Sequence, residues 1–458
     1  MSRLKTAPPK NGKKIGKRKT GAKKISKNNM IKSKFIVEGL AGKKVLAGSI
    51  RVGGAKNAVL KALAATILFE DTVVLDNVPA IEDVERIGEL LAFAGAQVEH
   101  GQGTMSVVPP QNWKPELERT IASRLRASIV LTGPMLARVG EVHFPFPGGC
   151  VLGERPIDLF LDGFTALGAT VEEVDDMFVL RAPGGLVGAR FFMPFVSVTA
   201  TETLMMAAVL ARGTTVLGNA AVEPEIVALA EFLVACGANI TGVGTSTITI
   251  VGTGPLRAQG THFATPPDRI EAGSFILFGA LLGSRVEVTH CNPHHVDALL
   301  VLLRKAGVRI STTDSTVLIE GTPSDAYTSV SVRTHEYPGF PTDLQAPMAV
   351  FLSQCAGECT ILETIFDGRF RYADDLVRMG ADITVMNPHK ILLRGPRALS
   401  SKELEGPDLR AGLAYLLAAA VAEGTSVVTN AYLIDRGYEK IEERLRALGL
   451  NITRVESE

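Results

Sequence analysis

At 458 residues, 46% hydrophobic and 21% charged, the chain is long enough for two or three domains with sizeable cores, which excludes a wholly disordered protein. No uncharged apolar run of about 18 residues occurs, which excludes an ordinary membrane-spanning helix. Five cysteines without framework spacing (Cys150, Cys236, Cys291, Cys355, Cys359) make a disulfide scaffold improbable. The net charge of zero conceals an asymmetry, because residues 1–34 hold 13 Lys and Arg and no acid, leaving 35 basic against 48 acidic residues in the body.

Residues 1–30 have no hydrophobic period and are expected to form a disordered basic tail, able to touch nucleic acid or anionic surfaces weakly. Met30 stands directly before a strand-like run from Ile31 to Val37, so the extension reads as dispensable or as preceding an alternative start. It lacks the apolar core of a secretory signal, which points to the cytoplasm and reduced thiols.

The first chemically suggestive stretch is Gly53-Gly54-Ala55-Lys56-Asn57-Ala58, ahead of an Ala-rich helix. Glycines before a helix N-terminus with a lysine make an anion cradle, but the spacing is not that of a nucleotide-hydrolysing Walker loop. From there a unit repeats: a helix-like run, a glycine stop and a β-branched strand. The stops fall at Gly95, Gly168, Gly237, Gly307, Gly380 and Gly449, at intervals of 73, 69, 70, 73 and 69 residues. Stops three units apart differ by 212, so the chain reads as a duplicated triplet. Gly213-Thr214-Thr215-Val216-Leu217-Gly218-Asn219-Ala220 echoes Gly424-Thr425-Ser426-Val427-Val428-Thr429-Asn430-Ala431 at the same offset to within a residue. Each unit also carries a second, nearly all-apolar helix, such as Thr201 to Leu210 or Arg410 to Ala422, which implies helices buried on most sides. Alternating strands and helices in two halves predict an α/β fold with a ligand cleft between them.

The loop Pro147-Gly148-Gly149-Cys150-Val151-Leu152-Gly153-Glu154-Arg155-Pro156-Ile157-Asp158 sets one thiol within reach of an arginine, surroundings that favour a thiolate or tuned acid. A small buried hydrophobe is the alternative for Cys150. Arg124, Arg126, Arg155, Arg410 and Arg436 fall at junctions of the repeat and, converging, would hold phosphate or carboxylate by forked hydrogen bonds. Asp343, Asp408 and Asp435 put carboxylates beside these cations, one of them a possible general base. Structural ion pairing would look the same. His290-Cys291-Asn292-Pro293-His294-His295 offers soft ligands, but no second cluster completes a metal site. Cys355 and Cys359, at helical spacing in an apolar run, read as core.

In chain order, Gly54-Ala55-Lys56-Asn57, Leu125-Arg126-Ala127-Ser128, Pro147 to Leu159, Phe340 to Gln345, Asp408-Leu409-Arg410 and Ile434-Asp435-Arg436-Gly437-Tyr438-Glu439 resemble the enolpyruvyl transferases, from about Phe35 onward. The resemblance implies two inverse α/β-barrel-like domains of three repeats each, with the active-site cleft between them. Residues 55–266 would form the domain carrying the Cys150 loop, and 31–54 plus 267–458 the other. It implies transfer of the enolpyruvyl group of phosphoenolpyruvate to the 3-hydroxyl of UDP-N-acetylglucosamine, without a cofactor or metal. Lys56, Arg155 and Arg436 would grip phosphoenolpyruvate, with Asn57 at the shared site and Arg126 near the nucleotide sugar. Cys150 would protonate the methylene carbon and can form a thioether adduct. Asp343 would accept the sugar hydroxyl proton, with Asp408 assisting and Arg410 nearby. Arg155, Pro156, Ile157, Asp158 and Leu159 would line the nucleotide pocket through their backbone, with Val196, Ser197 and Val198, and Ile365 would pack near the sugar. Phe195 stands where many relatives have lysine, and Phe160 where a histidine is common. Shikimate phosphate as acceptor, a non-catalytic regulator and a nucleic-acid binder are the competing readings. The Cys150 loop, the retained Lys56, Asp343 and Arg436, and the acidic body oppose them in turn.

Overall fold

The six glycine stops decide the frame. In the computed structural model, which describes residues 32–148, 157–322 and 326–457, Gly95, Gly168, Gly237, Gly307, Gly380 and Gly449 all have φ between 90° and 115°. That left-handed conformation closes a helix at little cost only for glycine. The echoed segments also match in conformation: Gly213 and Gly424 have φ of 92° and 91°, and Asn219 and Asn430 both have φ of 57°.

The apolar helices lie inside, as their composition requires. Helices Val198–Val209, Arg269–Leu282, Gln345–Ser353 and Leu409–Val421 are buried over nearly their whole length, as is Lys56–Ala65 beyond Asn57. Helix Thr132–Val139 takes the same place in the second unit. The inner helices of the first half begin at Lys56, Thr132 and Val198, and those of the second at Arg269, Gln345 and Leu409, within a residue of the 212-residue offset. Cutting one of their fully buried leucines, such as Leu63, to alanine costs about 2–5 kcal/mol.

Among the described residues the strands form five four-stranded sheets and one of three strands. Each four-stranded sheet has one parallel edge pair and is otherwise antiparallel. In the three-stranded sheet a parallel bridge between Glu116 and His143 stands at that edge. The N-terminal strands serve the second half. Strand Lys32–Glu38 lies between Thr425–Thr429 and Ile452–Ser457, and Leu46–Arg51 pairs parallel with Gly283–Thr289.

Two hydrophobic cores result, one from Phe35 to Val52 with Ile270 to Ile452, the other from Ala55 to Phe263. The two passes between them run side by side: the Ala55 amide donates to the Pro266 carbonyl at 2.7 Å and the Asp268 amide to Gly53 at 2.9 Å. Gly54 is required there, since a Cβ would lie 1.8 Å from the Asn77 carbonyl oxygen.

Candidate functional site

The chemistry gathers where inner helices begin, because helix N-termini present unpaired amides and positive dipole ends. Lys56 is the first residue of its helix, and its Nζ lies 2.6 Å from Asp83 Oδ2. Asp83, 3% exposed, also takes Arg436 Nε on Oδ1 at 2.8 Å and its guanidinium on Oδ2 at 3.3 Å. Lys56 and Asp83 belong to the first half and Arg436, which follows helix Ala431–Asp435, to the second. One carboxylate thus joins two cations across the halves. Burial, reinforced by the Arg436 charge, lowers the Lys56 pKa against the pull of Asp83. Burial would raise the Asp83 carboxyl, yet Lys56 and Arg436 hold it below its ordinary value.

A second cluster lies on the other half. Asp343 accepts from Arg369 at 2.8 Å on Oδ1 and from Arg410 on Oδ2, at 2.9 Å from one terminal nitrogen and 3.1 Å from Nε. Burial works against ionisation, but Arg410 and Arg369 hold the carboxyl far below the usual range, so Asp343 is an anion at neutral pH. Arg410 also donates to the Tyr438 hydroxyl at 3.1 Å, and Tyr438 meets Ser274 at 3.1 Å.

Asp408 caps helix Leu409–Val421, its Oδ1 accepting from the amides of Arg410 at 2.8 Å and Ala411 at 3.0 Å. Asp268 caps the helix starting at Arg269 and also accepts the Lys56 amide at 3.2 Å, tying the first inner helices of both halves together. Arg126 donates to the Pro147 carbonyl at 3.2 Å, fastening the start of the cysteine loop. Gly148 lies so close to Ser123 that a Cβ would come within 2.0 Å of its carbonyl oxygen. Asn57 is half-buried beside Lys56.

Cys150, Arg155 and Pro156 lie outside the described residues. Ile157 and Leu159 point into the core, 2% and 7% exposed, leaving their backbone for any ligand, and Asp158 opens helix Asp158–Ala166 exposed. Phe160 is buried and Phe195 is 57% exposed. Val196, Ser197 and Val198 are half-buried at the start of helix Val198–Val209, with Ser197 Oγ accepting the Ala200 amide at 3.3 Å. Ile365 is half-buried in a turn whose amide donates to Glu363 at 2.8 Å.

Three expectations need correction. Asp435 lies beside Arg436 in sequence but pairs with Arg454, at 2.6 and 2.8 Å, because it ends a helix facing strand Ile452–Ser457. Arg124 is exposed and forms no part of these clusters. Cys355 and Cys359 are core residues, but not on one helix: Cys359 lies on strand Gly357–Leu362, so their spacing carries no helical meaning. His290 has φ of 55° in the turn after its strand, as Asn77 does at 53°, and the Cys291 thiol is buried with its pKa raised to about 11. The motif from His290 to His295 is therefore accounted for by a turn and a helical cap.

Sequence reading missed Asp83, Asp268 and Arg369, and gave Tyr438 no role beyond its place in a motif. An acidic first turn was visible at Asp83, but such residues usually serve only the helix dipole. Nothing local signalled a partner some 350 residues away.

Two cores of repeated sheets around buried helices, with cations and carboxylates at the helix starts, define a two-domain α/β protein. The family model described as EPSP synthase (3-phosphoshikimate 1-carboxyvinyltransferase) matches residues 40–445, and the chain belongs to this enolpyruvyl transferase family. Relatives named UDP-N-acetylglucosamine 1-carboxyvinyltransferase include one from Koribacter versatilis, 43% identical over 92% of this chain and 96% of its own. Another, from Desulforapulum autotrophicum, is 41% identical over 91% and 99%. In fold the chain is similar to the enolpyruvyl transferase NikO from Streptomyces tendae, with a TM-score of 0.82 at 23% identity, covering 94% of this chain and 100% of that one. An EPSP synthase from Acinetobacter baumannii gives 0.70 at 18%, covering 93% and 100%.

Proposed function

We propose that the chain transfers the enolpyruvyl group of phosphoenolpyruvate to the 3-hydroxyl of UDP-N-acetylglucosamine with release of phosphate, the first committed step of peptidoglycan precursor synthesis. The observation that carries this reading is the convergence of Lys56 and Arg436, from opposite halves, on one carboxylate. Two cations gathered around one carboxylate suit a small substrate that carries both a phosphate and a carboxylate.

The core around residues 55–266 and that around 31–54 plus 267–458 act as the two closing domains. Lys56, Arg155 and Arg436 grip phosphoenolpyruvate with Asn57, and Arg126 lies toward the nucleotide sugar. The backbone of Arg155, Pro156, Ile157, Asp158 and Leu159, the segment Val196, Ser197 and Val198, and Ile365 line the sugar nucleotide. Asp343 accepts the proton of the attacking hydroxyl. Held low by two arginines, it gains basicity when an anionic substrate draws Arg410 away. Cys150 protonates the methylene carbon and can hold the substrate as a thioether, and Asp408 moves a proton as the tetrahedral ketal loses phosphate. No cofactor enters this scheme.

The chain is read as a cytoplasmic enzyme of cell-wall biogenesis, on which cell shape and division would depend; among the described residues no helix is long and apolar enough to cross a membrane. Residues 1–30 are read as dispensable to the chemistry, touching nucleic acid or anionic surfaces weakly.

Phosphate release from phosphoenolpyruvate, measured with and without UDP-N-acetylglucosamine, tests the reading. Acceptor-dependent release by the native chain, reduced about 10²–10⁴-fold in Cys150→Ala, is expected. Release that depends on shikimate phosphate instead would transfer the chain to the sister activity.

A further inference from the structure

We propose that Glu363 is a positioning residue that holds the Asp343 carboxylate and the turn carrying Ile365 as one unit, fixing the acceptor sugar in register with its base. The inference rests on the reading in which Asp343 takes the sugar hydroxyl proton and Ile365 packs near the sugar. It goes beyond that reading by assigning what keeps the two in place.

Glu363 is fully buried, directly after strand Gly357–Leu362. A buried carboxylate is costly unless hydrogen bonds satisfy it, and here both oxygens are used. Oε1 accepts the amides of Ile365 at 2.8 Å and Phe366 at 3.1 Å, which shapes the turn. Oε2 accepts the Thr342 hydroxyl at 2.8 Å, and Thr342 is the residue before Asp343. Gly368 has φ of 68°, a left-handed turn natural to glycine, one residue before Arg369. Arg369 is 6% exposed, and its guanidinium donates to the Thr342 hydroxyl at 2.7 Å and to Asp343 Oδ1 at 2.8 Å.

The turn from Glu363 to Arg369 is thus fastened to Thr342 and Asp343 at both ends, by a carboxylate at its start and a guanidinium at its close. The ring has a direction. The Thr342 hydroxyl accepts from Arg369 and gives its own proton to Glu363. A glutamine at 363 keeps an oxygen for the turn amides, but its NH₂ group then faces a hydroxyl that already receives a guanidinium. Asp343 Oδ2 is held separately by Arg410, so the ring fixes the Oδ1 side of the carboxylate. Misplacing a reacting group by about 1 Å costs about 10²-fold in rate, so this register bears on turnover.

Glu363→Gln and Thr342→Val each break one link of the ring and leave Asp343, Arg369 and Arg410 in the chain. Phosphate release by the full-length protein, with each substrate varied in turn, is expected to show kcat lowered about 10²-fold and KM for UDP-N-acetylglucosamine raised about tenfold in both variants. KM for phosphoenolpyruvate should stay within about twofold of native, because Lys56 and Arg436 lie outside the ring. Thr342→Ser, which keeps the hydroxyl, should return all three constants to within about threefold. A purely structural role would lower the folded fraction and leave both KM values unmoved. That result, or KM values rising alike for the two substrates, would overturn the proposal, as would failure of both ring-breaking variants to fold. If Glu363→Gln alone failed to fold, Thr342→Val would decide by the same constants. A native chain without acceptor-dependent release would remove the functional reading and the proposal with it. Native turnover lost in Asp343→Asn but unchanged in Thr342→Val would remove the proposal alone.

Discussion

Lys56 and Arg269 begin equivalent inner helices in the two halves, each just after the chain passes between cores, yet their electrical surroundings are opposite. Lys56 shares the Asp83 carboxylate with a second cation, Arg436 of the other half, whose charge helps burial to lower the Lys56 pKa. Arg269 is 3.0 Å from Glu225 of the first half and is also drawn by Glu223 and Asp268, so carboxylates are in excess. Its guanidinium lies over the Tyr337 ring, whose backbone amide reaches Glu223 at 3.3 Å. The same scaffold position meets a second cation in one half and several carboxylates in the other, and on the proposed reading it serves as a grip in the first and as a joint in the second. The helix start recurs in both halves, and the charges beside it differ.

The sharpest way to break this contrast lies on the grip side. Asp343→Asn neutralises the proposed proton acceptor between Arg369 and Arg410, and should lower kcat about 10²–10⁴-fold in phosphate-release assays. A variant retaining more than a tenth of native turnover would move the base elsewhere. On the joint side, Glu225→Gln removes the charge that Arg269 Nε contacts at 3.0 Å and should cost about 2 kcal/mol in urea unfolding, because a hydrogen bond to a charged group is weakened while Glu223 and Asp268 still offset the guanidinium. Its kcat should stay within a few-fold of native, the reverse of the Asp343→Asn result. A large loss of turnover with stability intact would make Arg269 part of the grip and erase the distinction.

Much of the architecture was legible because it repeats. The glycine stops, the buried Ala- and Leu-rich helices and the 212-residue offset are local or periodic signals, and backbone sterics and burial convert each directly into structure. The site was legible in part: Lys56, Asp343, Arg410 and Arg436 stand at helix starts or ends, where a sequence shows its junctions. Their partners were not legible. Asp83 and Arg369 look like ordinary surface charges of a helix turn and a loop, and become site residues only when tertiary folding brings them within 3 Å of a cation or carboxylate. Asp435 shows the converse, since adjacency to Arg436 along the chain says nothing about which way a side chain at a helix end points.

The smallest expected effect on stability tests the contrast at another pair of equivalent helix starts. Ser197 and Asp408 cap the third inner helix of their respective halves, Ser197 by one bond of 3.3 Å and Asp408 by two of 2.8 and 3.0 Å. Ser197→Ala should cost about 1 kcal/mol, the usual loss for an N-cap side chain. Asp408→Asn should cost only a few tenths of a kcal/mol, because asparagine caps as well as aspartate. If capping were all that Asp408 did, Asp408→Asn would also turn over at the native rate. A slowed release of phosphate from the ketal, with the unfolding midpoint unmoved, separates proton movement at Asp408 from the capping it shares with Ser197. The second half would then have put to chemical use a carboxylate whose first-half counterpart, a hydroxyl, cannot hold a proton in the same way.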